Sequence, residues 1–203
     1  MNSIQYISIG PNCNVRDQID KQRAKKATLM FDYVLTNNQT ILEVFESQKI
    51  ESIFTAKNVE IVKEEENGMV HARVRGLSNF YCIHDLHRGF SDSCIQSFCD
   101  KYIRRFHRMC EHISSDTKIA FLRYDQMKDE EAEKFIALVK EKNPICKFML
   151  VVINATEDIL SAENQVNENL LRISARYVAE TRTPADADWT YIFNSIDRHL
   201  QNL

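Results

Sequence analysis

The chain reads as an α/β protein: a mostly parallel sheet flanked by helices on both faces, with a small β-hairpin insertion around residues 59–83. Three observations carry this. A β-rich run, Gln5 to Ile9, stops at Gly10-Pro11 and is followed by a helix-like segment. The second half alternates apolar runs with amphipathic stretches, the pattern of strand–helix–strand units that stack into a parallel sheet covered on both sides. Between these lie three short strand-like runs, the first two separated by an Asn67-Gly68 turn signal.

In order, Gln5–Ile9 is a strand ending in a tight turn. Asn12 to Ile19 opens a helix that Asn12 is suited to cap, with Arg16, Asp17 and Gln18 on its exposed turns. The segment Leu29 to Val34 is apolar around one acid, Asp32. Asn37 to Phe45 is helical, capped by Asn38 or Thr40, with Ile41, Leu42, Val44 and Phe45 as its apolar face. Val59–Val62, Val70–Val74 and Phe80–Ile83 are short strands, and Glu64-Glu65-Glu66 is a solvated turn. From Ser93 to His112, Cys94, Phe98, Tyr102, Phe106, Met109 and Cys110 recur at helical steps. Lys118–Arg123 is a strand. Asp129–Lys142 is a helix with acids early and lysines late, as the helix dipole favours. Lys147–Ile153 is a buried strand, residues 164–174 are assigned to a helix, and Tyr177–Glu180 to a strand. Asp188–Leu200 is a terminal helix with Trp189, Ile192, Phe193, Ile196 and Leu200 on one face. No repeat or linker divides the chain, so residues 1–203 form a single domain.

Composition narrows the function classes. Of 203 residues, 44% are apolar and 27% charged, ordinary for a globular protein, and 4 Gly with 3 Pro exclude collagenous and proline-rich modules. A net charge of −3 argues against bulk nucleic-acid binding. No apolar run reaches the length of a membrane span, and the start of the chain lacks the pattern of a secretory signal. Six cysteines (Cys13, Cys82, Cys94, Cys99, Cys110 and Cys146) without a dense framework point to reduced thiols and a cytoplasmic setting.

Four places carry candidate chemistry. Cys13 follows the first strand at the start of a helix, where open α/β sheets bind ligands and where free N–H groups stabilise a thiolate. Asn12 and nearby backbone amides are placed to stabilise an oxyanion. The second place is the run from Tyr81 to His87, in which His84 is a candidate general base, since imidazole titrates near neutral pH. Asp85 is adjacent, but neighbours on an extended chain point to opposite faces, so it orients His84 only if the chain turns there. Asp32, an acid in an apolar stretch, needs a partner and is a further candidate. The third place is the helical face of Lys101, Arg104, Arg105 and Arg108, whose guanidinium groups suit phosphate or carboxylate. The fourth is a set of zinc-type donors, Cys82-x-His84-x-x-His87 and His107-x-x-Cys110. Their spacing matches no standard finger, so no metal site is assigned. Neither a P-loop nor a dinucleotide fingerprint occurs, and no cofactor is assigned.

Taken in order, YISIGPNCNVRDQI, FDYVL, IHDLH, KYIRRFHRM and KIAFLRYD resemble the papain-like cysteine peptidase family of bacteria and viruses, whose function is largely unassigned. The resemblance runs from Tyr6 to Asp125, more loosely to the end, and Tyr33 stands where the family usually has Trp. It implies a cysteine nucleophile at Cys13 and a histidine base at His84, with Asp32 or Asp85 as the acid. The implied activity is a cysteine-dependent hydrolase acting on an acyl bond of a small-molecule, glycan or peptide substrate. A nucleophile after the first strand is also the layout of esterase-like α/β hydrolases. Two alternatives stand beside it. One is an acyl- or glycosyl-transferase of surface-polysaccharide synthesis, with Arg104 and Arg105 on donor phosphates. The other is a non-catalytic anion- or nucleotide-binding module.

Overall fold

The computed structural model describes residues 4–23, 26–156, 162–178, 183–184 and 186–201. In chain order the elements are β1 (Ile4–Ser8), α1 (Cys13–Gln22), β2 (Val34–Leu35), α2 (Asn38–Glu46), α3 (Ile50–Ile53), a 3-10 turn (Ala56–Asn58), β3 (Val59–Glu64), β4 (Met69–Val74) and β5 (Tyr81–His87). Then follow α4 (Asp92–Ile113), β6 (Lys118–Tyr124), α5 (Asp129–Lys142), β7 (Phe148–Thr156), β8 (Ala162–Asn167), β9 (Leu170–Val178), β10 (Thr183–Pro184) and α6 (Asp186–Gln201). Strands β1, β6, β7 and β9 run parallel in that spatial order, and β8 and β10 pair antiparallel with β9.

Alternation along the central strands sends side chains to two cores. Ile7, Phe121, Phe148, Leu150 and Val152 pack with α2, α4 and α5 on one face. Tyr6, Leu122, Met149, Val151, Ile153 and Leu171 pack with α1 and α6 on the other. Phe121 lies at the middle of the first core, its ring edge-on to Phe45, Phe135 and Phe148. The second core is built on the apolar face of α6, where Trp189, Ile192, Phe193, Ile196 and Leu200 are all fully buried. Helices therefore cover both faces of a mostly parallel sheet, as alternation required.

The insertion is larger than a hairpin. Strands β3, β4 and β5 join β2 in a four-stranded antiparallel sheet of order β2-β5-β4-β3. Its inner residues Val70, Ala72, Val74, Cys82 and Leu86 belong to the first core.

Residues 164–174 correct the expectation of a helix: they lie in β8 and β9, joined by a turn at Glu168-Asn169. Leu171, Ile173 and Ala175 alternate into the second core while Leu170 enters the first, the period of a strand rather than a helix. Asn167 supplies the turn, its side chain accepting from the Asn169 amide at 2.8 Å. Of the strand expected at 177–180, residues 177 and 178 end β9, and 179 and 180 lie outside the described residues. Two smaller corrections concern helix ends and faces. Helix α2 is capped by Asn37, which accepts from the Thr40 amide, rather than by Asn38 or Thr40. Arg16 and Gln18 are buried and only Asp17 of that trio is exposed, because Arg16 is the counterion of a buried acid. No helix among the described residues is long and apolar enough to cross a membrane.

Candidate functional site

The carboxyl ends of β1 and β6 define one edge of the parallel sheet, and the turn leaving β1 carries Cys13. Asn12 caps α1, its side-chain oxygen accepting from the Asn14 amide at 3.0 Å. An oxyanion role for Asn12 therefore falls to its Nδ2 or to the backbone. Cys13 is half-buried at the first position of α1. Burial pushes its thiol above the ordinary value, and the charge of Asp17 one turn on adds to this, against a lowering hydrogen bond from its own backbone. Both effects disfavour the thiolate that the helix start alone favours.

The turn before Cys13 is held by a residue that the sequence reading passed over. Arg123, at the end of β6, is 0% exposed. Its Nη1 donates to the Ile9 carbonyl at 2.9 Å and to Thr36 Oγ1 at 3.3 Å. Its Nη2 donates to the Thr36 carbonyl at 3.2 Å and to Asp125 at 3.1 Å. One guanidinium thus ties the ends of β1, β2 and β6 together, and the Thr36 amide closes the ring by donating to the Pro11 carbonyl. Burial lowers the pKa of Arg123 to about 10, against the pull of Asp125, so it remains charged at neutral pH. The signal was present: a cation closing an otherwise apolar strand must find acceptors.

Asp32 is also fully buried, and its role is visible. Its Oδ2 accepts from Arg16 Nη1 at 2.9 Å and from the Leu29 amide at 2.8 Å. Arg16 in turn holds Asp20 at 2.7 Å and donates to the Lys26 carbonyl. Burial raises the Asp32 carboxyl to about 6, although Arg16, the Leu29 amide and the charge of Arg105 all pull the other way. Asp32 thereby fastens α1 to the segment that leads into β2.

His84 lies on β5 where the ladder is interrupted. Val70 pairs with Leu86 and Ala72 with Cys82, so Ile83, His84 and Asp85 together oppose His71. Such a bulge re-aims side chains. His84 is exposed, and no described residue bonds to it. Asp85 turns to α4: Lys101 Nζ reaches it at 2.8 Å, Tyr102 donates its hydroxyl to it, and Arg105 lies at 3.7 Å. Burial disfavours its charge, yet Lys101, Tyr102 and Arg105 together hold the Asp85 carboxyl below the usual value. Neither Asp32 nor Asp85 bonds to His84.

The basic face of α4 is largely committed. Arg105 lies over the Tyr102 ring and beside Asp85, and Arg108 donates to the Thr28 carbonyl. Arg104 alone of the three is exposed. Cys82 is fully buried against the Tyr102 hydroxyl. Among the described residues no three His, Cys, Asp or Glu side chains converge on a common metal position.

Fold and site together define an α/β protein with a cysteine heading the helix after the first strand and a histidine on a neighbouring antiparallel sheet. The chain belongs to the family described as "Putative papain-like cysteine peptidase", whose model matches residues 4–158. At the level of the family this supports a cysteine hydrolase. The matched region includes Cys13, Asp32, His84, Asp85, Arg105 and Arg123 and ends before β9 and α6. The chain is also similar to an uncharacterized protein of Acanthamoeba polyphaga mimivirus, at 26% identity over 75% of this chain and 79% of that protein. No solved structure matches.

Proposed function

We propose that the protein is a cysteine-dependent hydrolase of an acyl bond, with Cys13 as nucleophile and His84 as general base. The observation that carries this reading is the position of Cys13. It stands half-buried at the first turn of α1, at the carboxyl edge of a parallel sheet, behind a turn that Arg123 holds in place. In the proposed step His84 takes the thiol proton, and sulfur bonds to the acyl carbon. The carbonyl electrons move to oxygen, held by Asn12 Nδ2 and the amides at the helix start. Collapse expels the leaving group, which takes the proton back from His84, and water then resolves the thioester. Because burial and Asp17 disfavour the thiolate, the step needs a base to take the proton. Asp32 and Asp85 act here as holders of the scaffold. The transferase version loses its paired arginines, since Arg105 is engaged by Asp85. The free thiols fit a reducing compartment, and a cytoplasmic site of action is part of the proposal.

The test uses p-nitrophenyl acetate as acyl donor, with nitrophenol release followed by absorbance and the acylated peptide identified by mass spectrometry. The expected result is an acetyl group on the peptide of Cys13, absent in Cys13→Ala and slowed about a hundredfold in His84→Ala, the usual worth of a general base. Release that persists unchanged in Cys13→Ala overturns the reading.

A further inference from the structure

Tyr33 is the one non-glycine residue among those described whose backbone is left-handed, with φ at 63°. An aromatic residue pays a steric penalty there that glycine would not, because its Cβ crowds the following carbonyl. Such strain persists only where flanking structure enforces it, and it concentrates at ligand-holding positions. Both flanks of Tyr33 are fastened. On one side Asp32 is held by Arg16 and the Leu29 amide. On the other, Val34 and Leu35 pair with Cys82 and Tyr81 of β5.

The consequence is the location of the ring. The Tyr33 hydroxyl reaches Asp20 Oδ2 at 3.4 Å, and the charges of Asp20 and Asp17 act on the phenol. Cys13, Asp17 and Asp20 are four and seven residues apart along α1, so they share one face of that helix. The ring thus meets, at Asp20, the helix face that begins two turns earlier at Cys13. Val34, the residue after Tyr33, pairs with Cys82, two residues before His84 on β5. Leu35, two residues on from Tyr33 and paired with Tyr81, is 37% exposed and offers apolar surface on the same strand.

We infer that Tyr33 is a specificity-determining residue: its half-buried ring forms an aromatic wall between Cys13 and His84, against which an apolar or aromatic acyl group of the substrate packs. This rests on the proposed roles of Cys13 and His84 and adds the substrate class. The strained backbone is what turns the ring onto α1 instead of leaving it to alternate with Val34 along the strand. The phenol hydroxyl, already occupied by Asp20, is not needed for packing, so phenylalanine should serve as well.

The experiment compares the acylation rate of Cys13 by p-nitrophenyl phenylacetate with that by p-nitrophenyl acetate, in wild type and in Tyr33→Phe, Tyr33→Ala and Tyr33→Gly. Thermal unfolding is followed for all four proteins. The expected result is a preference for the phenylacetyl ester in wild type and Tyr33→Phe. In Tyr33→Ala and Tyr33→Gly that preference falls about tenfold or more, the usual worth of a lost apolar wall. Tyr33→Gly relieves the left-handed strain, so it should lose the preference without losing thermal stability, which a merely structural role for the ring does not allow. If Cys13 is acylated in a His84-dependent way but the ratio of the two rates is the same in all four proteins, the wall is refuted and the nucleophile stands. If neither ester acylates Cys13, both fall.

Discussion

Replacing Gly10 by alanine tests the turn that presents Cys13. The residue has φ of +83°, which costs any other residue about 1–2 kcal/mol. Alanine also stiffens the unfolded chain, which returns about 0.4–1 kcal/mol. Conformation alone therefore predicts a small loss. The surroundings predict a larger one, because a Cβ at this position meets Thr36 Oγ1 and comes within 2.7 Å of Arg123 Nη1. Neither neighbour is a loose end. Thr36 is buried and Arg123 is 0% exposed, bonded to Ile9, Thr36 and Asp125. Displacing the guanidinium forfeits at least one hydrogen bond of a charged group, worth about 1.5–3 kcal/mol. The expected loss is then about 3–4 kcal/mol, which lowers the melting temperature of a chain this size by about 10 °C. Gly76 is the control: its φ is +91°, but a Cβ there meets nothing within 4 Å. Gly76→Ala should lose only the conformational part, about 1 kcal/mol or less. Urea unfolding, followed by the fluorescence of Trp189, the single tryptophan, measures both. Equal losses in the two variants would refute the account of Arg123 as the clamp of this turn.

Three further outcomes follow from the same geometry. The Asp32 carboxyl has a folded pKa of about 6 against an ordinary 3.8, so the folded state holds this proton more tightly and the contribution of Asp32 to stability falls as pH rises through that window. Relative to Asp32→Asn, wild type should lose about 2 kcal/mol of unfolding free energy between pH 4 and 7; a difference that grows with pH contradicts the assignment. Phe121→Ala removes the ring shared by Phe45, Phe135 and Phe148 and should cost about 3–5 kcal/mol in the same urea assay, where a loss below about 1 kcal/mol would mean that this core collapses around the gap. With iodoacetamide near neutral pH, Cys94 should label first and Cys13 later. Cys94 is exposed and its thiol is lowered by hydrogen bonds from Ser91, while burial and Asp17 raise that of Cys13. Peptide mass spectra showing Cys13 ahead of Cys94 would mean a resting thiolate after all.

The layered architecture was legible because its signals are local. Lys118–Arg123 and Lys147–Ile153 are too apolar to be anything but buried strands, and the alternation around them dictates parallel pairing. The heptad-like spacing of α4 and α6 likewise fixes which faces are buried. Residues 164–174 read as helix from sequence because Leu170, Leu171 and Ile173 fit a helical stripe as well as a strand. What decides is tertiary: β7 offers an unpaired edge that Leu170–Val178 can satisfy. Of the candidate site, Cys13 and His84 were legible as residue types after strands. The partners of Asp32 and Asp85 were not, since Arg16 and Arg105 lie on helices that touch these acids only after folding. Charged residues on a helix read as solvated by default, and here two of them are counterions.

The buried ion pairs sit on the elements that carry Cys13 and His84. Removing ions from water is costly, and apolar packing would hold these elements together as well or better. What apolar packing does not supply is direction. Arg16–Asp32 fixes the rotation of α1 about its axis, Arg105–Asp85 fixes α4 against the bulge of β5, and Arg105 acts electrostatically on both acids. Cys13 belongs to the first of these elements and His84 to the last. Under the proposed mechanism, a thiol whose ionisation is disfavoured depends on a base held at the right distance when substrate arrives, so its efficiency would rest on geometry. In the proposed reaction the buried acids hold the elements that carry Cys13 and His84 in register, and a variant that keeps their shape but not their charge should weaken the response of Cys13 to His84 more than it weakens the fold.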